Sequence, residues 1–258
     1  MKMLLIAAVL VPASTAAFAQ DDSPDLRVRI GAGAQTRPTF IGADGNDVVP
    51  LVRVSVANAD NEFRFSAPDD GFGVQVFASG GFAIGPVGYL QSRRRNADAG
   101  VAIGEVKRTI EAGAFADYVL NDSVRLRAEL RKGIGGHEGL VGQIGVDKIW
   151  REGDRYDFSV GPRLLFSDGR YQRTYFGVSQ AAALATGLPA YRPGGGLHSV
   201  ALASGLNVEL GRRFGLFGFA RAERLVGDAR RSPFIRTYGS RNQLSAGLGL
   251  NYTFTIRR

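Results

Sequence analysis

Two histidines are the side chains of this 258-residue sequence best suited to acid–base chemistry, since it contains no cysteine. Many hydrolases pair a histidine with a serine whose proton the imidazole takes. His198 precedes Ser199 directly, but adjacent residues of a strand point to opposite faces. His137 lies in a glycine-rich segment beside Glu138. We therefore expect ordinary loop or rim histidines, no catalytic residue and no enzymatic activity.

Metal and cofactor chemistry finds no support in the residue spacing. Histidines and carboxylates nowhere form a cluster with the spacing of metal ligands. The sequence therefore predicts no catalytic, cofactor-binding or metal-binding residues.

One segment carries a regular charged face. Between residues 124 and 131, charged residues alternate with apolar ones, and the charged set is Arg125, Arg127, Glu129 and Arg131. In a strand they would share one face. Further charges on the same side of neighbouring strands are Glu111, Asp117, Asp147, Asp157, Arg163 and Glu209. Two interpretations stay open: the lining of a solute pore, or a mutually paired and largely blocked interior.

Two other polar groups have open interpretations. Arg93, Arg94 and Arg95 could contact lipopolysaccharide phosphates at an outer rim, or they could be a solvated charge run. Asp228 and the pair Ser232-Pro233 could bind a partner or order their own loop through turn chemistry. We favour ordering of the loop.

The elements that would position these side chains are strands. Residues 242–254 alternate strictly, with leucines, an alanine and two aromatics on one face and small or polar residues on the other. This pattern fits a barrel strand whose apolar face meets lipid and whose other face lines the lumen. An edge strand of a soluble β-sandwich alternates in the same way, so this segment alone does not decide.

Loop lengths decide between the two. About twelve strands can be counted, and short turns near Asn58, Gly80, Asn121, Gly153 and Gly211 alternate with long loops. Outer-membrane barrels show this asymmetry between short periplasmic turns and long outer loops. The sequence thus predicts an all-β, antiparallel transmembrane β-barrel of about twelve strands with both termini periplasmic.

Several local predictions accompany this count. Residues 34–47 should form a long polar connection, and Asn58 to Asn61 a tight turn. Phe63 and Phe65 should begin a short third strand that Pro68-Asp69-Asp70-Gly71 breaks. Residues 179–186, rich in alanine, should form a short helix within the longest loop.

Export is predicted from the start of the chain. Lys2, an apolar stretch over residues 3–11 and Ala17-Phe18-Ala19 have the order of a cleaved secretory leader. We expect residues 1–19 to be a signal peptide and residues 20–258 one outer-membrane barrel domain of a Gram-negative bacterium. No later apolar run reaches the ~20 residues that a spanning helix needs.

The balance of charge is basic, with a formal net charge of +8. A basic balance can indicate nucleic-acid binding, but export argues against that partner. Anionic lipopolysaccharide or peptidoglycan-associated partners are better candidates, and a barrel would also contact outer-membrane lipid. Glycine, at 35 residues, recurs inside the alternating segments, where it would relieve crowding on a lumen face.

Several segments are distinctive together because of their order and spacing. The first is Pro38-Thr39-Phe40-Ile41-Gly42. The others are Gly161-Pro162-Arg163, Tyr175-Phe176-Gly177-Val178-Ser179, residues 191–196, Glu223-Arg224-Leu225-Val226-Gly227-Asp228-Ala229 followed by Ser232-Pro233, and Tyr252-Thr253-Phe254. In this order and spacing they resemble the MipA/OmpV family of outer-membrane proteins. The chain departs from that pattern twice, since Phe40 stands where a tyrosine is expected and the chain runs past the final aromatic through Thr255 to Arg258.

The resemblance implies an outer-membrane barrel without known catalytic residues. Through the founding member of that family, the resemblance implies a scaffold. Such a scaffold would join a lytic transglycosylase, which degrades murein, to a murein synthase of the penicillin-binding class. We therefore expect a non-enzymatic scaffold or surface interaction protein. The alternative is a narrow outer-membrane channel for small solutes, and a barrel hydrolase is a distant third.

Overall fold

A computed structural model describes residues 25–58 and 61–257, and the predicted signal peptide lies outside them. The described residues form one antiparallel sheet of twelve strands. The strands are β1 (Leu26–Pro38), β2 (Asn46–Asn58), β3 (Phe72–Gly73), β4 (Phe77–Ser79), β5 (Phe82–Gln91), β6 (Thr109–Asn121), β7 (Val124–Gly135), β8 (Leu140–Glu152), β9 (Tyr156–Ser167), β10 (Gly196–Glu209), β11 (Phe214–Leu225) and β12 (Asn242–Ile256).

Five short helices lie in the connections at one end of the sheet. They are α1 (Asn96–Ala99), α2 (Gly169–Phe176), α3 (Gln180–Thr186), α4 (Gly227–Arg231) and α5 (Pro233–Tyr238). The helix predicted near residues 179–186 is confirmed as α3, whose first turn is capped by the Ser179 side chain. None of the helices in the described ranges is long and apolar enough to cross a membrane.

The strand order confirms the predicted fold class. Neighbours in sequence pair from β5 to β12, β12 returns to pair with β1, and β1 pairs with β2. The sheet curls around a filled interior, and it ends at β2 on one side and at β3 and β4 on the other. The last strand continues to Ile256, which pairs with Leu26, so the extension beyond Phe254 takes part in the sheet.

The outward face of the sheet is apolar. Leu244, Leu248 and Leu250 of β12 are each about 60% exposed, and β7 presents Leu126 and Leu130 in the same way. The residues between them are largely buried or polar. This arrangement is what a lipid-facing surface requires, because hydrocarbon solvates apolar side chains and water does not.

The long connection predicted after the first strand is wrong. Residues 34–47 are not one long loop, because the β1–β2 ladder continues to the pair Pro38↔Asn46 and leaves only residues 39–45 between the strands. Backbone pairing continued there without the apolar alternation that the sequence prediction relied on.

Phe63 and Phe65 do not begin a strand of the sheet. Residues 61–71, called the plug here, instead run inside the curl of the sheet between β2 and β3. Phe63 is buried there under the guanidinium groups of Arg27 and Arg29, at 4.8 and 4.1 Å from its ring centroid. Cation–π contacts and ion pairs to distant strands therefore prevail over local strand preference.

The apolar core lies at the helical end and not inside the sheet. We call it the cap cluster; its buried members include Phe40, Tyr171, Tyr175, Phe176, Leu225, Phe234 and Ile235. Phe40 and Phe234 stack with ring centroids 6.1 Å apart. The cap cluster therefore ties the loop after β1 to the helices that follow β9 and β11.

Candidate functional site

The inward face of β7 is the centre of the candidate site. Arg125, Arg127, Glu129 and Arg131 are each at most 7% exposed, so the predicted charged face does point into the interior. Arg127 Nε lies 2.7 Å from Glu129 Oε1, and Arg131 pairs with the other oxygen of Glu129. Alternation along one strand thus produces a ladder of opposite charges.

Neighbouring strands supply the partners of this ladder. Asp117 of β6 lies 3.0 Å from Arg127, and Glu111 of β6 lies 2.9 Å from Arg131. Asp147 of β8 bridges Arg125 at 2.8 Å and Arg163 of β9 at 2.6 Å. All of these side chains are nearly inaccessible to water. Of the two interpretations left open by the sequence, the structure therefore favours an interior whose arginines and carboxylates pair with each other.

Asp157 and Glu209 lie apart from this network. Asp157 accepts hydrogen bonds from the Asn207 side chain, and Glu209 pairs with Arg29 at 2.7 Å. Glu209 is about one-third exposed. The two charges therefore belong to the end of the barrel that carries the short turns, and they do not join the central network.

The plug contributes two carboxylates that the sequence prediction treated only as turn residues. Asp70 lies 2.8 Å from Arg125 and 3.4 Å from Arg127, while Asp69 lies 2.9 Å from Arg163. The backbone N–H of Gly71 also donates to Glu129 at 3.2 Å. Pro68-Asp69-Asp70-Gly71 thus fastens the plug to β7 and β9.

Two further basic residues join this network from opposite sides. Arg64 of the plug lies 2.6 Å from Asp117, so that carboxylate is shared with Arg127. Arg221 of β11 pairs with Glu223 at 2.5 Å and lies 3.7 Å from Asp69. Ion pairs therefore connect the plug to strands on several sides of the interior.

His137 lies in the loop between β7 and β8, as predicted, but its side chain is buried and not exposed at a rim. Its Nε2 lies 3.0 Å from Glu111 Oε1, and its Nδ1 accepts a hydrogen bond from the Gly139 N–H. A side chain at Gly133 would overlap the imidazole ring, so glycine is required there. The His137 ring also packs against Tyr171 at 4.8 Å, which places it between the ion pairs and the cap cluster.

His198 is also buried, and its partner is not the adjacent serine. The β9–β10 register shifts between Leu197 and Ser199, so His198 and Ser199 are both buried. His198 Nδ1 lies 3.0 Å from Ser167 Oγ, whereas the Ser199 hydroxyl donates to Glu223. Within residues 25–58 and 61–257, His198 makes no hydrogen bond to a carboxylate, so the orienting third group of a triad is not among its contacts.

A metal site finds no support in the part of the chain that the structure describes. There, no three histidine or carboxylate side chains are grouped so that they could hold a metal ion. The carboxylates of the interior are instead held by arginine.

Plug residues line two cavities. One of about 130 Å³ lies toward the cap cluster and is lined by Asp69 together with Arg37, Tyr89, Tyr171, His198 and Arg221. Another, of only about 10 Å³, is lined by Phe63, Arg64 and Ser66 of the plug together with Arg53 and Asn251. The plug therefore forms part of the wall of each cavity.

Arg94 corrects the prediction for the three consecutive arginines. Arg93 and Arg95 are exposed, but Arg94 is 3% exposed. Its guanidinium donates to the carbonyl oxygens of Tyr175 at 2.8 Å and of Thr174 and Gly104, each at 3.1 Å. It is therefore a structural part of the cap and neither a lipopolysaccharide contact nor a solvated charge.

Asp228 and Ser232 order their own region, as we favoured. Asp228 Oδ2 accepts a hydrogen bond from the Gly194 N–H at 2.9 Å, and its carbonyl accepts one from the Tyr191 hydroxyl. Ser232 caps α5, in which Pro233 occupies the first turn. These contacts join the loops of residues 168–195 and 226–241.

Sequence reasoning therefore located the charges on β6 to β9, but it treated Asp69 and Asp70 only as turn residues, took Arg94 for a rim or solvated charge, and missed Arg221. The signal for the first two was present, because two adjacent acids lay in a chain with an arginine-rich inward face. Their partners are more than 50 residues distant, so no local pattern identifies them.

The sequence match to known families covers most of the chain. A family model described as MltA-interacting protein MipA matches residues 30–254. No curated protein matches.

The solved structures that match this chain include two outer-membrane channels and one autotransporter translocator domain, all of low sequence identity. A channel from Pseudomonas putida F1 has 9% identity and a TM-score of 0.43, over 96% of this chain and 100% of the other. The channel DcaP of Acinetobacter baumannii has 8% identity and a TM-score of 0.41, over 93% and 100%. The translocator domain of the autotransporter NalP from Neisseria meningitidis has 14% identity and a TM-score of 0.38, over 91% and 90%.

Proposed function

The chain belongs to the MipA family, and we propose from this premise that it is a non-enzymatic outer-membrane barrel that acts through its surfaces. It would serve as a scaffold between a murein hydrolase and a murein synthase, or as a surface interaction protein. The family description supports a protein partner, because it names an interaction with MltA. The exposed apolar face of the sheet supports residence in a membrane.

The observation that carries this proposal is the filled interior. The plug and the arginine–carboxylate network occupy the space between the strands, and the ion-pair atoms are 2.6–3.4 Å apart at the plug contacts. A porin needs a continuous aqueous lumen, whereas a barrel with a packed lumen presents only its rims and loops. The surfaces that remain for function are therefore the two ends of the barrel.

The histidine contacts support the absence of catalysis. His198 has a serine but no carboxylate as a hydrogen-bond partner in the described chain, and His137 has a carboxylate, Glu111. A nucleophilic triad needs hydroxyl, imidazole and carboxylate in one chain of hydrogen bonds. Loss of a hydrolase activity in His137→Ala or His198→Ala would contradict this part of the proposal.

Site-specific crosslinking tests the scaffold role. Arg155 lies in the short turn between β8 and β9 with a 74% exposed side chain, at the end that we assign to the periplasm. We expect a photo-crosslinking residue at position 155 to capture a murein hydrolase or synthase from the native envelope. Arg231, 71% exposed at the opposite end, is the matched control. Capture of neither enzyme at position 155, or equal capture at both positions, would contradict the scaffold proposal.

A narrow solute channel is the second candidate, and the cavity of about 130 Å³ favours it. Its polar lining has room for several water molecules. Planar-bilayer recording of the purified protein separates the candidates. Steady, ion-selective conductance of the unmodified protein would favour the channel, whereas a silent bilayer with heat-modifiable, folded protein would favour the scaffold.

A further inference from the structure

The sheet has two edges, and the described residues form no ladder between them. β2 pairs with β1 on one side only, and within the described ranges its other edge has no strand partner. The outer edge of β5 pairs only with β3 and β4, which together contain five residues. The plug connects these two edges along the chain, since it lies between β2 and β3.

Hydrocarbon makes such an edge costly. A backbone N–H or C=O that meets lipid without a partner has no water to bind, so spanning strands are closed into barrels. β2 has an outward row of valines, since Val52, Val54 and Val56 are each at least 55% exposed. The unpaired edge of β2 therefore lies at the depth of a lipid-facing surface.

The plug itself has the pattern of the missing strand. In residues 61–67, Phe63, Phe65 and Ala67 alternate with Glu62, Arg64 and Ser66. The backbone N–H of Asn61 already donates to the carbonyl of Asn58 at 2.9 Å, which fixes where a hairpin with β2 would start. If the hairpin with β2 continued from that turn in the same register, Phe63 would lie opposite Val56 and Phe65 opposite Val54.

This register is in phase with the barrel. Phe63 and Phe65 would join the outward valines, while Arg64 would lie opposite Ser55 and face the interior. A shift by one residue would instead bring Arg64 to the lipid. Sequence and the existing hydrogen bond thus agree on one pairing.

We propose that residues 61–71 have two positions: the plug seen here, and a wall strand that pairs with β2 in the register set by Asn58 and Asn61. The ion pairs of Asp70 with Arg125 and of Asp69 with Arg163 stabilise the plug. Ladder hydrogen bonds and lipid contact of Phe63 and Phe65 stabilise the wall strand.

Movement of the plug would change the lumen. Because Asp69 lines the larger cavity and Phe63, Arg64 and Ser66 line the smaller one, departure of the segment opens a wall of each. The movement is then a gate for small solutes. It does not rest on the scaffold role, which concerns the ends of the barrel.

Engineered cysteine pairs test the two positions, because the chain has no cysteine of its own. For the plug, Pro68→Cys with Gly205→Cys is suitable, since a Cβ at Gly205 would lie 3.1 Å from Pro68 Cδ. For the wall strand, Val54→Cys with Phe65→Cys is suitable, since Phe65 now packs against Arg125 across the interior. Val54→Cys with Arg64→Cys is the matched control, because it is one residue out of register.

Both designed pairs should form disulfides in outer membranes after mild oxidation, and the control pair should not. In planar bilayers, the protein with the oxidised wall pair should show conductance steps at least about ten times as often as the protein with the oxidised plug pair. The reason is that the wall disulfide holds every molecule in the wall-strand position, which the unmodified protein populates only as a minor state. Only one designed pair closing, neither closing in heat-modifiable protein, or crosslinking by the control pair would overturn the proposal.

A measurement on the unmodified chain covers the case in which a variant does not fold. Hydrogen exchange of the β2 peptide in lipid should give two mass envelopes, one with its outer edge protected and one without. A single envelope would overturn the proposal.

Discussion

The interior of the sheet and the cap cluster are filled by opposite kinds of side chain. The interior is built from arginine and carboxylate pairs such as Arg125 with Asp147, whereas the cap is built from rings such as Phe40 and Phe234. The apolar side chains of the strands face outward, so the strands leave polar ones for the inside. Only the loops at one end are free to build a conventional apolar core.

The difference has an energetic consequence. Removing one partner of a buried ion pair leaves a charge that neither water nor protein satisfies. Removing a ring from the cap leaves a cavity that a loop can partly close. Damage to the interior should therefore affect the whole barrel, and damage to the cap should remain local.

Asp147→Ala should have the largest effect. Asp147 bridges Arg125 and Arg163 with a 1% exposed side chain, so both guanidinium groups would lose a partner. We expect the free energy of unfolding in urea, followed by heat-modifiable gel mobility, to fall by about 3–5 kcal/mol. Asp122→Ala, in the exposed turn after β6, is the control. Equal effects of both variants would contradict an interior held by charge pairs.

Phe234→Ala should rank second and should act on the cap alone. Phe234 is fully buried against Phe40, and its loss should cost about 3 kcal/mol, the lower end for such truncations, because the loops can relax. Limited proteolysis should then cut residues 226–241 while the strands stay intact. Leu184→Ala, at a 90% exposed position, should leave the cutting rate unchanged. Unfolding of the whole barrel by Phe234→Ala would remove the distinction between the two regions.

Arg94→Lys should rank third, and it should destabilise the cap although it keeps the positive charge. The guanidinium spans the carbonyls of Tyr175, Thr174 and Gly104, which a compact ammonium cannot reach together. We expect a loss of about 2 kcal/mol, measured by the same proteolysis. Arg95→Lys, at the exposed neighbour, should have no effect. A harmless Arg94→Lys would mean that the apolar rings alone order the cap.

Asp168→Ala should have the smallest effect. Asp168 caps α2 by accepting the Tyr171 N–H at 2.8 Å, and such caps contribute about 1 kcal/mol. Although burial opposes it, this hydrogen bond holds the pKa of Asp168 below its ordinary value. The contribution is therefore complete above the ordinary carboxyl pKa and is lost as the pH falls through the lower folded-state value. Cap proteolysis between pH 7 and pH 3 should converge for the two proteins, and a constant difference would contradict the assignment.

The sequence predicted the sheet and half of the interior. Alternation on β7 and β12 identified both faces, and short turns near Asn121, Gly153 and Gly211 placed the hairpins. It failed where contacts are distant in sequence. Phe63 and Phe65 have a strand pattern, yet Arg29 and Arg125 hold them inside.

Arg94 failed for a related reason. Its neighbours Arg93 and Arg95 are exposed, as a charge run should be. Arg94 differs because its guanidinium binds the carbonyl of Gly104 and two carbonyls of α2, and the α2 carbonyls lie some 80 residues later in the chain. Local periodicity predicts which face of a strand a side chain lies on, but it does not predict which distant residues that side chain contacts.

The single tryptophan tests the orientation of the sheet most directly. Trp150, 44% exposed on β8 and stacked on Phe158 at 5.5 Å, lies near a short turn, where aromatic residues meet lipid headgroups. In reconstituted protein, lipids brominated near the headgroup should quench its fluorescence strongly, and aqueous iodide only weakly. Strong quenching by iodide with none by brominated lipid would contradict a sheet whose apolar face meets the membrane.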